Sequence, residues 1–339
     1  MPSPNIKLRD VAAAEKWQQI LADLVTDPKE LLQILDLDPG QLPISERVLK
    51  AFPLKVPRPF LSRIEKGNWQ DPLLKQILPL NRELLQDTDS CDPDPLQEAE
   101  FNPMPGLLHK YQGRILLTVA PHCAVHCRYC FRRHFDYRGN TPDRRAWENV
   151  IDYIRQDETI SEVIFSGGDP LAAGDRQLIW LTRQLEAIPH LQRLRIHTRT
   201  PIMIPQRVNA PLLDWLDSTR FKTIVVVHCN HPAEIDQSVT DSLSMLATVV
   251  DTMLNQSVLL KGINDNSKDL SRLSEMLFSS NVLPYYLHLL DPVQGVAHFD
   301  VELSRGRQLI REMQEVLPGY LVPKLVREEA GKASKTLIL

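Results

Sequence analysis

The stretch RILLTVAPHCAVHCRYC, residues 114–130, sets a short apolar run directly against three cysteines within eight residues. The first seven residues have the length and composition of a buried strand. Five similar runs follow: EVIFSGG (162–168), RLRIHTR (193–199), KTIVVVHC (222–229), NQSVLLKG (255–262) and PYYLHLLD (284–291). Between them, 143–156, 175–187, 238–252 and 267–279 carry apolar residues at helical spacing. Strand–helix alternation predicts a parallel sheet. Six βα units fall short of the eight that close a full barrel, so the expected α/β fold is a partial, open (β/α)6 TIM-like barrel.

Working outward from these runs, chemistry-bearing residues fall where each strand ends. The cysteines follow the first, and Ser166-Gly167-Gly168-Asp169-Pro170 closes the second. Arg199 follows the third, His228 to His231 the fourth, Asn264 and Asp265 the fifth, and Asp291 the sixth. Barrel enzymes build their sites at the C-terminal ends of strands, so the coincidence points to an enzyme.

Residues 1–100 read as a helical N-terminal extension, with the acidic, Pro-containing stretch 87–99 as an exposed linker. Residues 101–319 form the barrel and 320–339 a short tail. Of 339 residues 43% are hydrophobic, enough for a large core, and the net charge of −4 gives no basic field for nucleic acid. No apolar run is long enough to span a membrane, and the first residues lack a secretory signal. Clustered cysteines in such a chain suggest metal binding in a reducing cytoplasm rather than disulfides.

Cys123, Cys127 and Cys130 are spaced C-x3-C-x2-C. Thiolates are soft ligands for iron–sulfur clusters or zinc. Three sulfurs would leave one iron of a [4Fe–4S] cubane open to a further ligand. The competing reading is zinc, with His122, His126 or His134 as fourth ligand. Zinc sites commonly use two separated ligand pairs, and Cys229 stands alone. A metal-stabilised module binding RNA or protein through the basic run 128–133 is the alternative from another functional class; charge and the strand-end pattern oppose it.

The cysteine loop after a first strand, with Gly-Gly-Asp-Pro one βα unit later, resembles the radical S-adenosylmethionine superfamily. There three cysteines hold the cluster, S-adenosylmethionine chelates the open iron, and the glycine segment meets its amino group. More widely, LLHKYQGRILL, CAVHCRYCFRRHF, FSGGDPL, HTRTPIMIPQRV, HCNHPAEI, NQSVLLKGIND, PYYLHLLDPVQGVAHF and GYLVPKLV resemble the lysine 2,3-aminomutase family, in matching order across about 100–339. Within it the chain is most similar to the short branch whose (R)-β-lysine modifies elongation factor P.

That resemblance implies an isomerase moving the amino group of L-lysine from Cα to Cβ. Its cofactors would be the cluster, S-adenosylmethionine and pyridoxal 5′-phosphate, with a separate reducing electron donor. By match, Lys335 would carry the pyridoxal group, with Lys332 as rival, and Arg114 would lie near its phosphate. Arg132 would grip the substrate carboxylate, a task suited to a planar fork. Asp291 and Glu328 would hold the ε-ammonium. Ser166, Gly167, Gly168, Asp169, Arg199, His228, Asn230 and His231 would shape the S-adenosylmethionine or cofactor pocket. A ligase would then attach β-lysine to elongation factor P; the rival fate is a free metabolite. Larger members have a glycine run before the lysine, where this chain has Ala330-Gly331-Lys332-Ala333-Ser334, and a longer zinc-binding tail. Here Leu339 comes four residues after Lys335, which leaves that lysine on a tail expected to fray.

Overall fold

A computed structural model describes residues 16–41, 45–84 and 91–338. One sheet of nine strands runs in chain order: β1 (Leu107–Tyr111), β2 (Arg114–Ala120), β3 (Glu162–Gly167), β4 (Arg193–Thr198), β5 (Lys222–Val227), β6 (Thr252–Val258), β7 (Leu283–His288), β8 (Lys324–Arg327) and β9 (Thr336–Leu337). Strands β2 to β8 are parallel, and an antiparallel strand flanks each side. The order is linear, so the sheet curls into a partial barrel as the βα alternation predicts.

Six helices connect the parallel strands: α1 (Arg144–Gln156), α2 (Asp175–Glu186), α3 (Ala210–Ser218), α4 (Gln237–Leu246), α5 (Ser267–Ser279) and α6 (Leu303–Val316). In α1 the stripe Trp147, Val150, Ile151, Ile154 is buried, the i, i+3, i+4, i+7 pattern of a helix on a sheet. Asp143, Asn209, Asp236 and Asn266 cap four of these helices, their side chains accepting from free backbone N–H groups. The main core lies between these helices and the outer face of the sheet.

Two boundaries move. The fifth strand, expected at 255–262, runs Thr252–Val258. Leu259 and Leu260 are fully buried but leave the sheet, so their apolarity serves packing beyond it. The helix before it ends at Leu246. The second change is a seventh parallel strand, β8, formed by part of the predicted tail. Strand β9 then returns antiparallel on β8, with Thr336 opposite Arg327 and Leu337 opposite Val326. The tail expected to fray is therefore hydrogen-bonded into the sheet.

The described part of the N-terminal extension forms a second apolar cluster. Leu31, Phe60, Leu74 and Ile77 pack there with Ala124 and Val125 of the cysteine loop. The extension thus supports the loop from behind. The predicted exposed linker lies outside the described residues at 87–90. From Asp92 onward it packs: Asp92 bridges Val293, and Leu96 is buried. Among the described residues, no helix is long and apolar enough to cross a membrane.

Candidate active site

A cavity of about 650 Å³ occupies the barrel interior. Period-2 alternation turns alternate residues of each strand inward. Strand β4 contributes Arg195 and His197, followed by Arg199; β7 contributes Tyr286 and His288, followed by Leu290; β8 contributes Lys324 and Val326, followed by Glu328. Cys123, Cys127 and Cys130 line the same cavity, as do Arg114, Arg132, Ser166, Gly167, Gly168, Asp169, His228, Asp291 and Lys335.

The cysteine loop is fixed from behind. His126 N–H donates to Lys55 O at 2.9 Å and Arg128 N–H to Gln76 O at 2.9 Å. The Arg128 side chain, fully buried, clasps Glu83 through Nε at 3.0 Å and Nη2 at 2.5 Å. Arg133 Nη2 donates to the same carboxylate at 2.8 Å. Arg132 is also buried, so the basic run 128–133 turns inward and offers no surface to nucleic acid.

The glycine run has a steric reason. Gly168 N–H donates to Ala120 O at 2.8 Å and Asp169 N–H to His122 O at 3.0 Å. A Cβ on Gly168 would lie 2.5 Å from His122 O, and Gly167 has φ +112°. Only glycines let the second strand's exit run this close to the cysteine loop. The Asp169 carboxylate accepts from Thr198 Oγ1 at 2.6 Å, Arg199 N at 2.7 Å and Thr200 N at 2.9 Å, tying this turn to the end of β4.

Burial pushes the Cys123 thiol well up, and pushes Cys130 up to about 12. Such thiols become thiolates only with a cation, and Arg199 Nη1 already donates to Cys127 Sγ at 2.7 Å. Arg199 also bonds Glu234 at 2.9 Å and Gln76 at 2.8 Å. Tyr129 links it to His228, whose Nε2 lies 2.9 Å from the phenol oxygen. Burial, then Arg199, lowers His228 to about 3, which keeps it neutral. The histidines of the zinc reading point elsewhere. His126 Nδ1 lies 2.9 Å from Pro53 O, His134 Nε2 3.3 Å from Gln294 O, and His122 faces a separate cleft. The donor set beside the cavity is thus three thiols, which suits a cluster with one open iron.

A second group gathers charge. Glu328 pairs with Lys335, with Lys110 at 3.1 Å and with the Tyr111 hydroxyl at 2.9 Å. Burial alone would raise Glu328, but Lys335 and then Lys110 hold it below the usual carboxylate range. Asp291 is different. Burial, then Glu328, pushes it up to about 7, and its Oδ1 is buried with no hydrogen-bond partner among the described residues. Lys335 lines the cavity, whereas Lys332 is exposed.

Not every expected residue reaches the cavity wall. Asn230 lies behind it: its Nδ2 donates to Tyr129 Oη at 2.7 Å and its Oδ1 accepts from Val258 N at 2.9 Å. Asn264 stitches the same loops through Leu260 N and Asn230 O. His231 caps a turn by accepting from Ala233 N at 3.1 Å. Sequence reasoning missed Glu98, Lys110, Tyr111, His197 and His288. The two histidines sit at inward strand positions, two before Arg199 and three before Asp291, which alternation could have flagged. Each has a buried Nε2 with no partner among the described residues. Burial keeps both rings neutral.

A partial barrel with a three-cysteine loop after its first parallel strand and a glycine turn after its second is the architecture of a radical S-adenosylmethionine enzyme, and residues 117–217 match the family model described as Radical SAM superfamily. That class uses a [4Fe–4S] cluster and S-adenosylmethionine. The chain is 49% identical to the L-lysine 2,3-aminomutase of Haemophilus influenzae, covering 95% of each chain. It is 48% identical to that of Escherichia coli, over 98% of this chain and 97% of that one. Against the Clostridium subterminale L-lysine 2,3-aminomutase the figure is 32%, over 98% and 80%. The protein belongs to the L-lysine 2,3-aminomutase family, a family of isomerases, with lysine and S-adenosylmethionine as its substrates.

Proposed function

We propose that this enzyme converts L-lysine to (R)-β-lysine in the barrel cavity, using pyridoxal phosphate beside the cluster and S-adenosylmethionine, and that the product modifies elongation factor P through a ligase. The observation that carries the substrate assignment is Asp291. A buried carboxyl pushed up to about 7 by burial and Glu328, with Oδ1 unpaired among the described residues, has room for a directly bonded cation. The lysine ε-ammonium is such a cation, and Glu328 stands close enough to interact with Asp291 and supply the second carboxylate. Two carboxylates select a long cationic side chain over a neutral one.

Cys123, Cys127 and Cys130 would hold three irons, leaving the fourth for S-adenosylmethionine. Ser166, Gly167, Gly168, Asp169, Arg199 and His228 would shape the surrounding pocket. When bound, and reduced by a separate electron donor, the cluster would supply with S-adenosylmethionine the radical chemistry that takes a β-hydrogen from the substrate. Arg132 would grip the α-carboxylate.

Pyridoxal phosphate fits the residues present. Lys335 offers an amine in the cavity, Arg114 a cation for the phosphate, and His197 and His288 two unpaired ring nitrogens. When bound, its conjugated ring stabilises the radical through which the nitrogen migrates. Lys335 would anchor it, while Glu328 and Asp291 orient the substrate tail. The apolar lining of Leu96, Phe101, Leu108 and Leu290 would keep solvent and its solutes away from the reacting groups.

The test is anaerobic reconstitution with iron, sulfide, pyridoxal phosphate, dithionite, S-adenosylmethionine and L-lysine, with β-lysine followed by mass spectrometry. Product in the wild type and none in Lys335→Ala is expected. Deoxyadenosine without β-lysine would reject free lysine as substrate. For the product's fate, the mass of elongation factor P from cells lacking this enzyme should drop by the β-lysine addition; an unchanged mass favours a free metabolite.

A further inference from the structure

A guanidinium carries five N–H donors in a fixed plane. In Arg132 four of them have partners. Nε donates to Glu98 Oε2 at 2.8 Å and Nη2 to Glu98 Oε1 at 2.6 Å, a side-on, two-point clasp. Nη1 donates to Ser166 Oγ at 3.1 Å and to Gly167 O at 3.2 Å. One Nη2 hydrogen has no partner among the described residues. The side chains of both partners are shielded, 7% exposed for Arg132 and 12% for Glu98.

Glu98 reaches this position on a shaped segment. The Asp94 carboxylate accepts from Glu98 N at 2.9 Å and Ala99 N at 3.0 Å. Asp92 N–H donates to Pro292 O at 3.1 Å, and Gln294 N–H returns to Asp92 O at 3.3 Å. Lys110 Nζ donates to Leu96 O at 3.5 Å. The segment is thus fastened to the loop that follows Asp291 and to β1, with Leu96, Glu98 and Phe101 facing the cavity.

We propose that Glu98 is the positioning residue of the substrate site: it occupies the Nε/Nη2 edge of Arg132 and leaves only the end of the fork for the α-carboxylate. This rests on the reading that Arg132 grips that carboxylate. One carboxylate oxygen takes the free Nη2 hydrogen. The other takes the hydroxyl hydrogen of Ser166, whose oxygen already accepts from Nη1. The clasp neutralises most of the charge on Arg132, so the site recognises a carboxylate by donor geometry rather than by net attraction.

The experiment is calorimetric titration of the anaerobically reconstituted holoenzyme with L-lysine and, separately, L-lysinamide, which lacks the carboxylate charge. Iron, sulfide and thermal unfolding are measured in parallel for wild type, Glu98→Ala and Glu98→Gln. Losing an oriented charge-assisted bond predicts lysine affinity about tenfold or more weaker in Glu98→Ala, with lysinamide affinity and iron content unchanged. Glu98→Gln keeps one acceptor oxygen and should fall between. Equal or tighter lysine binding in Glu98→Ala would overturn the proposal, since Glu98 would then be a competitor for Arg132. Parallel losses for both ligands would overturn it too, because the role would be structural. A wild type that does not distinguish lysine from lysinamide would instead sink the assignment of Arg132 itself.

Discussion

Replacing Asp291 by Asn removes an ionisable group whose folded-state environment opposes its charge. An aspartate raised from 3.8 to about 7 is harder to ionise in the fold by roughly 4 kcal/mol. The native state retains a proton that the unfolded chain releases near pH 4. Stability from this group is therefore complete below pH 4 and is lost as pH rises to about 7. Between pH 5.5 and 7.5 wild type should lose roughly 2 kcal/mol relative to Asp291→Asn. Denaturant unfolding of both proteins at the two pH values, without lysine, measures the difference directly. Taking the difference cancels other titrating groups, including His228.

Binding should move the opposite way. If the lysine ammonium is the partner of this carboxylate, as proposed, the variant should lose a charged hydrogen bond of about 1.5–3 kcal/mol. That is a rise in lysine KM of about 10- to 100-fold. Saturating lysine should also flatten the wild-type pH slope, because the bound ammonium holds Asp291 ionised. Parallel pH slopes in the two proteins, or unchanged lysine KM in the variant, would refute the reasoning.

Three further outcomes follow from the geometry. Lys335→Ala should lose the pyridoxal absorbance band while retaining iron, because Glu328 keeps Lys110 and Tyr111 as partners; an unchanged spectrum would move the anchor to another lysine. Glu83→Gln leaves buried Arg128 and Arg133 without their shared charge and should cost about 3–5 kcal/mol in denaturant unfolding, with lower iron per chain after reconstitution. Gly168→Ala drives a methyl into the His122 backbone and should cost about 1–3 kcal/mol and weaken S-adenosylmethionine binding, read by equilibrium titration.

The barrel was legible because period and composition agree at each strand: Val163, Ile164 and Phe165 of β3 are buried as a strand covered on both faces must be. The cysteine spacing and glycine turn were legible because their chemistry is local. Strand β8 was not, because Lys324-Leu325-Val326-Arg327 is too short to stand out from a loop. Glu98 carried no signal at all. It lies in an acidic, Pro-containing stretch that reads as solvated, and tertiary contacts at Asp92, Asp94 and Leu96 turn it inward. The Arg128–Glu83 clasp, 45 residues apart, was equally invisible, since pairing across that distance depends on the fold.

Of the residues that escaped the sequence reading, His197 and His288 lie on central strands, while Glu98, Lys110 and Tyr111 lie at or beside one flank of the sheet. The six βα units supply the thiols, the glycine turn, Arg199 and His228. Arg132 and Asp291 also follow strands of these units, whereas other polar groups of the cavity lie on the flanks of the sheet. Lys110 and Tyr111 come from β1, Glu328 and Lys335 from the end of β8 and the approach to β9, and Glu98 from the segment before β1. An open barrel leaves two sheet edges, and antiparallel strands cover both here. The same strands that protect the edges complete the cavity. The flanks thereby add to a site begun by the barrel loops, and the two meet at Arg132, which follows the cysteines in sequence and is clasped by Glu98 from the flank. On the proposed reading, substitutions at Glu98 or Glu328 should alter how lysine is held without touching the three sulfurs, whereas those at Glu83 or Gly168 should act on the cysteine loop itself.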